Sequence, residues 1–262
     1  MSNYLNLVGM FLIPLLVVLI PILIGQRYGI YISKRSADIK EAPVGTVVGT
    51  AFGLLAFMLA FTFQIATGRY DARKNLLLDE VTNIRTTYLR AGLLQEPFCS
   101  DTKRLLVEYV DLRVELSKDT SKLKPALFRS QQILDTLWRY AEKLAEQDRS
   151  SEVYALFTTS VNDLVANFNQ RVSMTLEYRI PAIILWILFI IAFFSMLSLG
   201  YHFGISGKGN LSINLILAFI FAVVMLLILA LDRPETGIAK LNQKPMLTLQ
   251  KQLQTMQFKD EE

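Results

Sequence analysis

Phe57 and Phe61 stand four residues apart in a stretch without a single charge, and Gln64 follows three residues later. At 3.6 residues per turn these side chains share one face of a helix. Gly45, Gly49 and Gly53 extend the same four-residue spacing upstream, so one ridge carries glycine first and phenylalanine after. Two readings suit such a ridge. In one, several copies of the helix surround an axis, and Phe57 and Phe61 form an apolar constriction that gates by dewetting. Gln64 then hydrates an ion leaving that ring, and Arg69, Arg73 and Lys74 charge the mouth beyond it. In the other, the glycines let helix backbones approach closely, while the phenylalanines fill a bundle core or face lipid. Spacing alone leaves both open.

Other chemistry has little to work with. Cys99 is the only cysteine and His202 the only histidine. One cysteine closes no disulfide within the chain, and a Cys/His zinc site needs about four ligands. A Ser–His–Asp arrangement would have to recruit His202 from the end of an apolar run. No paired carboxylate, nucleophile with its base, or phosphate-binding loop stands out. The chain reads as a non-enzyme with no cofactor. The net charge of +4 is mild. Beside apolar spans it reads as a surplus facing anionic lipid, not as a nucleic-acid footprint.

The elements that must carry the ridge follow from where the charges are not. The 27 basic and 23 acidic residues avoid four stretches entirely: 1–26, 42–68, 180–207 and 209–231. Each exceeds the roughly 20 apolar residues that cross a bilayer. Spans are therefore expected over 5–24, 43–67, 180–201 and 211–231. Pro14 and Pro21 fall near one face of the first, and Pro43 opens the second at a favoured first-turn position. No strong breaker follows Gly68, so the second helix should continue into water to about Leu94.

Residues 70–178 read as a helical block. Leu105, Leu112 and Leu116 give one ridge, after an expected N-cap at Ser100. Ile133, Leu134, Leu137, Tyr140, Ala141 and Leu144 give a second, and Val153, Leu156, Phe157, Val161, Leu164, Val165 and Phe168 a third. The domain plan is a first membrane hairpin (1–69), the helical block (70–178), a second hairpin (179–231) and a tail (232–262). The tail holds at most a short amphipathic helix over 247–256. Asp232, Arg233 and Pro234 end the fourth span, with the basic side chain favourable to the helix dipole and proline stopping the helix.

Four spans put both termini and the block on one side. That side carries Arg69, Arg73, Lys74, Arg85, Arg171, Arg179, Arg233, Lys240 and Lys244 close to the membrane; the other carries Arg27, Lys34, Arg35, Lys40 and Lys208. The excess assigns the block to the cytoplasm.

The run FGLLAFMLAFTFQIATGRYDARKNLLLDEVTNIRT resembles the second membrane helix and following stretch of the bestrophin superfamily, and is similar above all to its bacterial bestrophin-like family. A second matching element is Asp232-Arg233-Pro234-Glu235-Thr236-Gly237. The resemblance implies a bestrophin-like, all-α membrane protein. Four transmembrane helices would flank a helical cytoplasmic domain inserted between the second and third. It also implies a pentameric homo-oligomer in a bacterial inner membrane that conducts inorganic ions among membrane lipids. Its neck would be formed by Gly53, Phe57 and Phe61. Gly53 departs from the bulky residue expected there. Eukaryotic bestrophins bind calcium through an acidic cluster after the last span. Here only Asp232 and Glu235 stand there, short of the six to eight oxygens calcium takes. Basic residues at the mouth tilt the expectation toward anions. The competing expectation is a non-conducting membrane protein whose cytoplasmic helices dock a partner.

Overall fold

Chains without water around them must satisfy every backbone group internally, and charge-free runs of this length do so as helices. The computed structural model describes residues 2–35, 41–176, 179–207, 209–232 and 239–261, and among these every extended element is helical. In chain order the α-helices are α1 (Ser2–Arg35), α2 (Glu41–Ala91), α3 (Phe98–Lys118), α4 (Leu123–Gln147), α5 (Glu152–Leu176), α6 (Ala182–Ser206), α7 (Leu211–Asp232) and α8 (Lys244–Glu261). Four contain stretches long and apolar enough to cross a membrane: α1, α2, α6 and α7. The second is the expected long helix, 51 residues that end at Ala91. The chain divides into two compact units.

The first unit comprises Met1–Asp71 and Arg179–Lys240. Its core gathers Val18 and Ile22 of α1, Leu55 and Ala66 of α2, Leu188, Ala192 and Met196 of α6, and Ala218, Phe221, Met225 and Ile228 of α7. Pro14 and Pro21 are both buried, as their spacing on one face requires. Helices α1 and α6 approach each other backbone to backbone. A Cβ on Gly25 would lie 2.2 Å from the Leu197 carbonyl oxygen, and one on Gly200 would lie 2.1 Å from that of Ile22. Gly29 and Gly204 repeat this contact one turn on. Two small-xxx-small motifs thus face each other, which brings backbones within van der Waals range. By contrast, a Cβ on Gly49 or Gly53 would meet nothing within 4 Å. Of the α2 glycines read as a packing face, Gly45 alone has a neighbour, the His202 side chain at 3.7 Å from its Cβ position. Gly207 ends α6 at φ +65, the left-handed cap that lets the chain turn directly toward α7.

The second unit comprises Ala72–Tyr178 and Leu241–Glu262. Its core includes Leu77, Ile84 and Tyr88 of α2, the expected Ile133, Leu134, Leu137, Ala141 and Leu144 of α4, and Phe157, Val161 and Leu164 of α5. Four sequence expectations are revised. On α3 the buried face is Leu106, Tyr109, Val110 and Val114, while Leu105, Leu112 and Leu116 sit half-buried one residue around the helix. Ser100 is not the N-cap: α3 begins earlier, and the Glu96 carboxylate accepts from both the Ser100 N–H (3.2 Å) and its hydroxyl (2.7 Å). Those two bonds hold the Glu96 carboxyl below its ordinary pKa. On α5, Val153 and Leu156 are exposed, and the buried stripe starts at Phe157. The last stretch forms a longer helix than expected because Met246, Leu249 and Leu253 bury in this core, and the Gln250 amide donates to Asp111 at 2.7 Å.

Charge is buried in this unit as well. Glu80 of α2 is fully enclosed; it accepts from the Tyr109 hydroxyl at 2.7 Å and pairs with Arg113 (3.3 Å) and Arg171. Side-chain bonds to backbone carbonyls tie α2 to α5: Thr87 to Ser160, Asn83 to Asp163 and Asn167 to Leu76. The Thr87 and Asn167 bonds satisfy donors in buried or part-buried positions, while the Asn83 bond lies at the surface.

Candidate functional site

The membrane half of α2 is built on one apolar stripe. Val48, Leu55, Thr62 and Ala66 are buried, spaced by sevens and a four, as one face of a helix demands. Thr62 is admitted to that face because its hydroxyl donates back to the Met58 carbonyl at 2.7 Å. Phe57 lies nine residues past Val48. At about 100° per residue this is half a turn away, so Phe57 points opposite the stripe.

The ridge is accordingly uncovered. Phe57 is 65% exposed and Phe61 46% exposed. Their rings stack on one another, centroids 6.4 Å apart and planes inclined by 13°. Gly53 and Gln64 are exposed on the same side. Of the four apolar spans, that of α2 is the least buried within the chain, 11% against 22–44% for the others. Its open face is not built like a lipid-facing one. Gly49, Gly53, Ala56, Ala60 and Gln64 interrupt the aliphatic surface. Small residues and an amide suit close neighbours or water better than hydrocarbon.

The three cations expected at the mouth separate. Lys74 is exposed. Arg73 is buried, at 6% exposure. Arg69 turns inward, its Nη1 4.0 Å from Asp232 Oδ1. Asp232 itself is 3% exposed at the end of α7, and its carboxylate accepts the Ile180 N–H at 3.0 Å. One side chain thus closes α7, receives the chain just before α6 and faces the base of α2's apolar stretch. Arg233, Pro234 and Gly237 lie outside the described residues. Among the described residues no cluster of His, Cys, Asp and Glu has the geometry to hold a metal ion.

Three features go beyond the sequence expectations. The signal for Gly25, Gly29, Gly200 and Gly204 was the same four-residue spacing that marked α2. The signal for Arg69 with Asp232 was weaker: opposite charges at the ends of two spans, with nothing to join them in sequence. Glu80 gave no local signal at all, since its partners come from α3 and α5. Burial pushes the Tyr109 hydroxyl up to about 12 and the Arg171 guanidinium down to about 10. At neutral pH the first remains a donor and the second a cation, so both still serve Glu80.

Residues 14–246 match the model of the Bestrophin-like domain. The chain belongs to the Bestrophin-like family. The solved structures it resembles include a point mutant of a bacterial bestrophin homologue from Klebsiella pneumoniae: TM-score 0.66, 18% identity, 96% of this chain and 99% of that one. The homologue solved by Zn-SAD phasing gives 0.64 at 18% identity, over 95% and 97%. A point mutant described only as a membrane protein gives 0.66 at 18%, over 96% and 98%. No curated protein matches the sequence. At this identity the likeness establishes the bestrophin fold. With four apolar spans, this Bestrophin-like chain is an integral membrane protein.

Proposed function

We propose that this Bestrophin-like protein is an oligomeric ion channel, with five copies of α2 around a common axis and Phe57 and Phe61 as its apolar neck. The observation that carries the reading is the stacked pair of uncovered rings. They stand opposite the buried stripe of the least-covered span, on a face broken by glycine, alanine and glutamine. Such a ridge needs a neighbour that the chain does not supply, and further copies of the same ridge supply it. Apolar rings at a constriction hinder ions by making water leave, and Gln64 beyond them restores a polar contact. Gly53, at the other end of the neck, widens it. Residues 70–178 occupy the cytoplasm with both termini, following the excess of basic residues on that side.

Charge near the neck does little to choose ions. The expectation of anions rested on Arg69, Arg73 and Lys74 together. With Arg69 facing Asp232 and Arg73 buried, Lys74 alone of the three keeps that preference.

The test is current through planar bilayers containing the purified protein. Phe57→Ala and Phe61→Ala should each raise unitary conductance severalfold, and the double variant more. Wild-type conductance in both single variants would remove the neck from these positions.

A further inference from the structure

The membrane half of α2 faces its own unit with Val48, Leu55, Thr62 and Ala66. Val48, Leu55 and Ala66 carry no polar side-chain group, and the Thr62 hydroxyl donates within its own helix, to Met58 at 2.7 Å, so these four side chains give no directional bond to a neighbouring helix. Charged contacts are directional. Arg69 lies seven residues past Thr62, which places it on the same face to within about 20°. Its guanidinium is mostly enclosed, at 19% side-chain exposure, and 4.0 Å from Asp232. Asp232 is a fixed point: it is buried, it ends α7, and it holds the Ile180 N–H at 3.0 Å. A guanidinium that left Asp232 would take one countercharge away from a buried carboxylate, which is costly.

We propose that Asp232 is a positioning residue for the neck: acting through Arg69, it sets the rotation of α2 and so the direction in which Phe57 and Phe61 project. Phe61 is eight residues before Arg69 and Phe57 twelve, on one continuous helix. Rotation at Arg69 is therefore rotation of the ridge. This inference rests on the channel reading, and the experiment below separates failure of one from failure of the other.

The test uses the full chain in lipid nanodiscs with Cys99→Ser and Phe57→Cys, treated with a short bifunctional maleimide. The readout is cross-linking between copies. Asp232→Asn keeps an oxygen for the Ile180 N–H and loses only the charge. Arg69→Met keeps the apolar stem, and Arg69→Gln serves if the methionine variant does not elute as the parent oligomer. Asp232→Asn and the Arg69 variant should each lower cross-linking about tenfold, the effect of losing a contact of roughly 1.4 kcal/mol. The double variant should be no worse than either, and Arg69→Lys should cross-link like the parent. Unchanged cross-linking in both single variants overturns the inference and leaves the channel reading standing. Loss with Asp232→Asn alone, or losses that add in the double variant, also overturn it, since Asp232 then acts through Ile180. If position 57 does not cross-link even with Arg69 and Asp232 intact, the channel reading fails and the inference falls with it.

Discussion

The Tyr109 hydroxyl donates to Glu80 Oε1 at 2.7 Å, inside a core that shields Glu80 completely from solvent. The same carboxylate faces Arg113 and Arg171. Removing one partner of a buried ion pair strands the other, at about 3–5 kcal/mol. Glu80→Ala should therefore destabilise the protein by about that amount. Denaturant unfolding in detergent, followed by circular dichroism, measures it. A loss below about 1 kcal/mol would mean the cluster is solvated in solution.

Tyr109 also gives a pH signature. Burial raises its pKa from 10.0 to about 12. The folded state thus keeps a proton that the unfolded state loses, so the contribution is complete below pH 10 and disappears as pH rises toward 12. The cost of Tyr109→Phe should shrink over that interval by about 2–3 kcal/mol, at about 1.36 kcal/mol per unit. Arg171, whose pKa moves down, acts in the opposite sense, with stability rising over the same interval. It is common to both proteins and cancels in the difference. Unfolding curves for the pair at about pH 9 and about pH 12 check it; a constant cost contradicts the shift.

The contact of α1 with α6 has no room for a methyl group. Gly200→Ala puts carbon 2.1 Å from the Ile22 carbonyl oxygen, and backbone cannot step aside as a side chain can. Overpacking of this kind costs about 1–3 kcal/mol. Gly9→Ala, on α1 with nothing within 4 Å, is the matched control. Its stability should hold or rise slightly, because alanine suits a helix better than glycine. Thermal unfolding of both variants decides it.

Lys74 is the exposed member of the basic trio. Lys74→Glu should move the reversal potential in a salt gradient toward that of cations. Arg73→Gln, at a buried position, should leave selectivity unchanged where the protein still folds. Equal shifts from both would place Arg73 in the ion path.

How legible all this was depends on the range over which each feature acts. The four spans, the helix that runs past Gly68 and the buried ridge on α4 follow from composition and local periodicity, and they were readable. So were Phe57 and Phe61 as one ridge. The face of α3 was missed by one residue because Tyr109 is drawn inward by Glu80, twenty-nine positions away. Tyrosine in a periodic pattern does not announce a buried carboxylate partner. Sequence places Arg69 at the mouth with Arg73 and Lys74 because it shows the neighbours Tyr70 and Asp71, not Asp232 across the unit. The glycines of α2 were chosen over those of α1 and α6 because three in a row look stronger than two facing pairs. Which glycines meet another backbone is a tertiary fact.

The central claim is that copies of α2 surround one axis with Phe57 and Phe61 turned toward it. Single-particle cryo-electron microscopy of the protein in lipid nanodiscs tests it most directly. We expect five copies, a hole along the axis and both rings at its narrowest point. A monomer or dimer without a central hole, or rings buried in the lipid density, would contradict it.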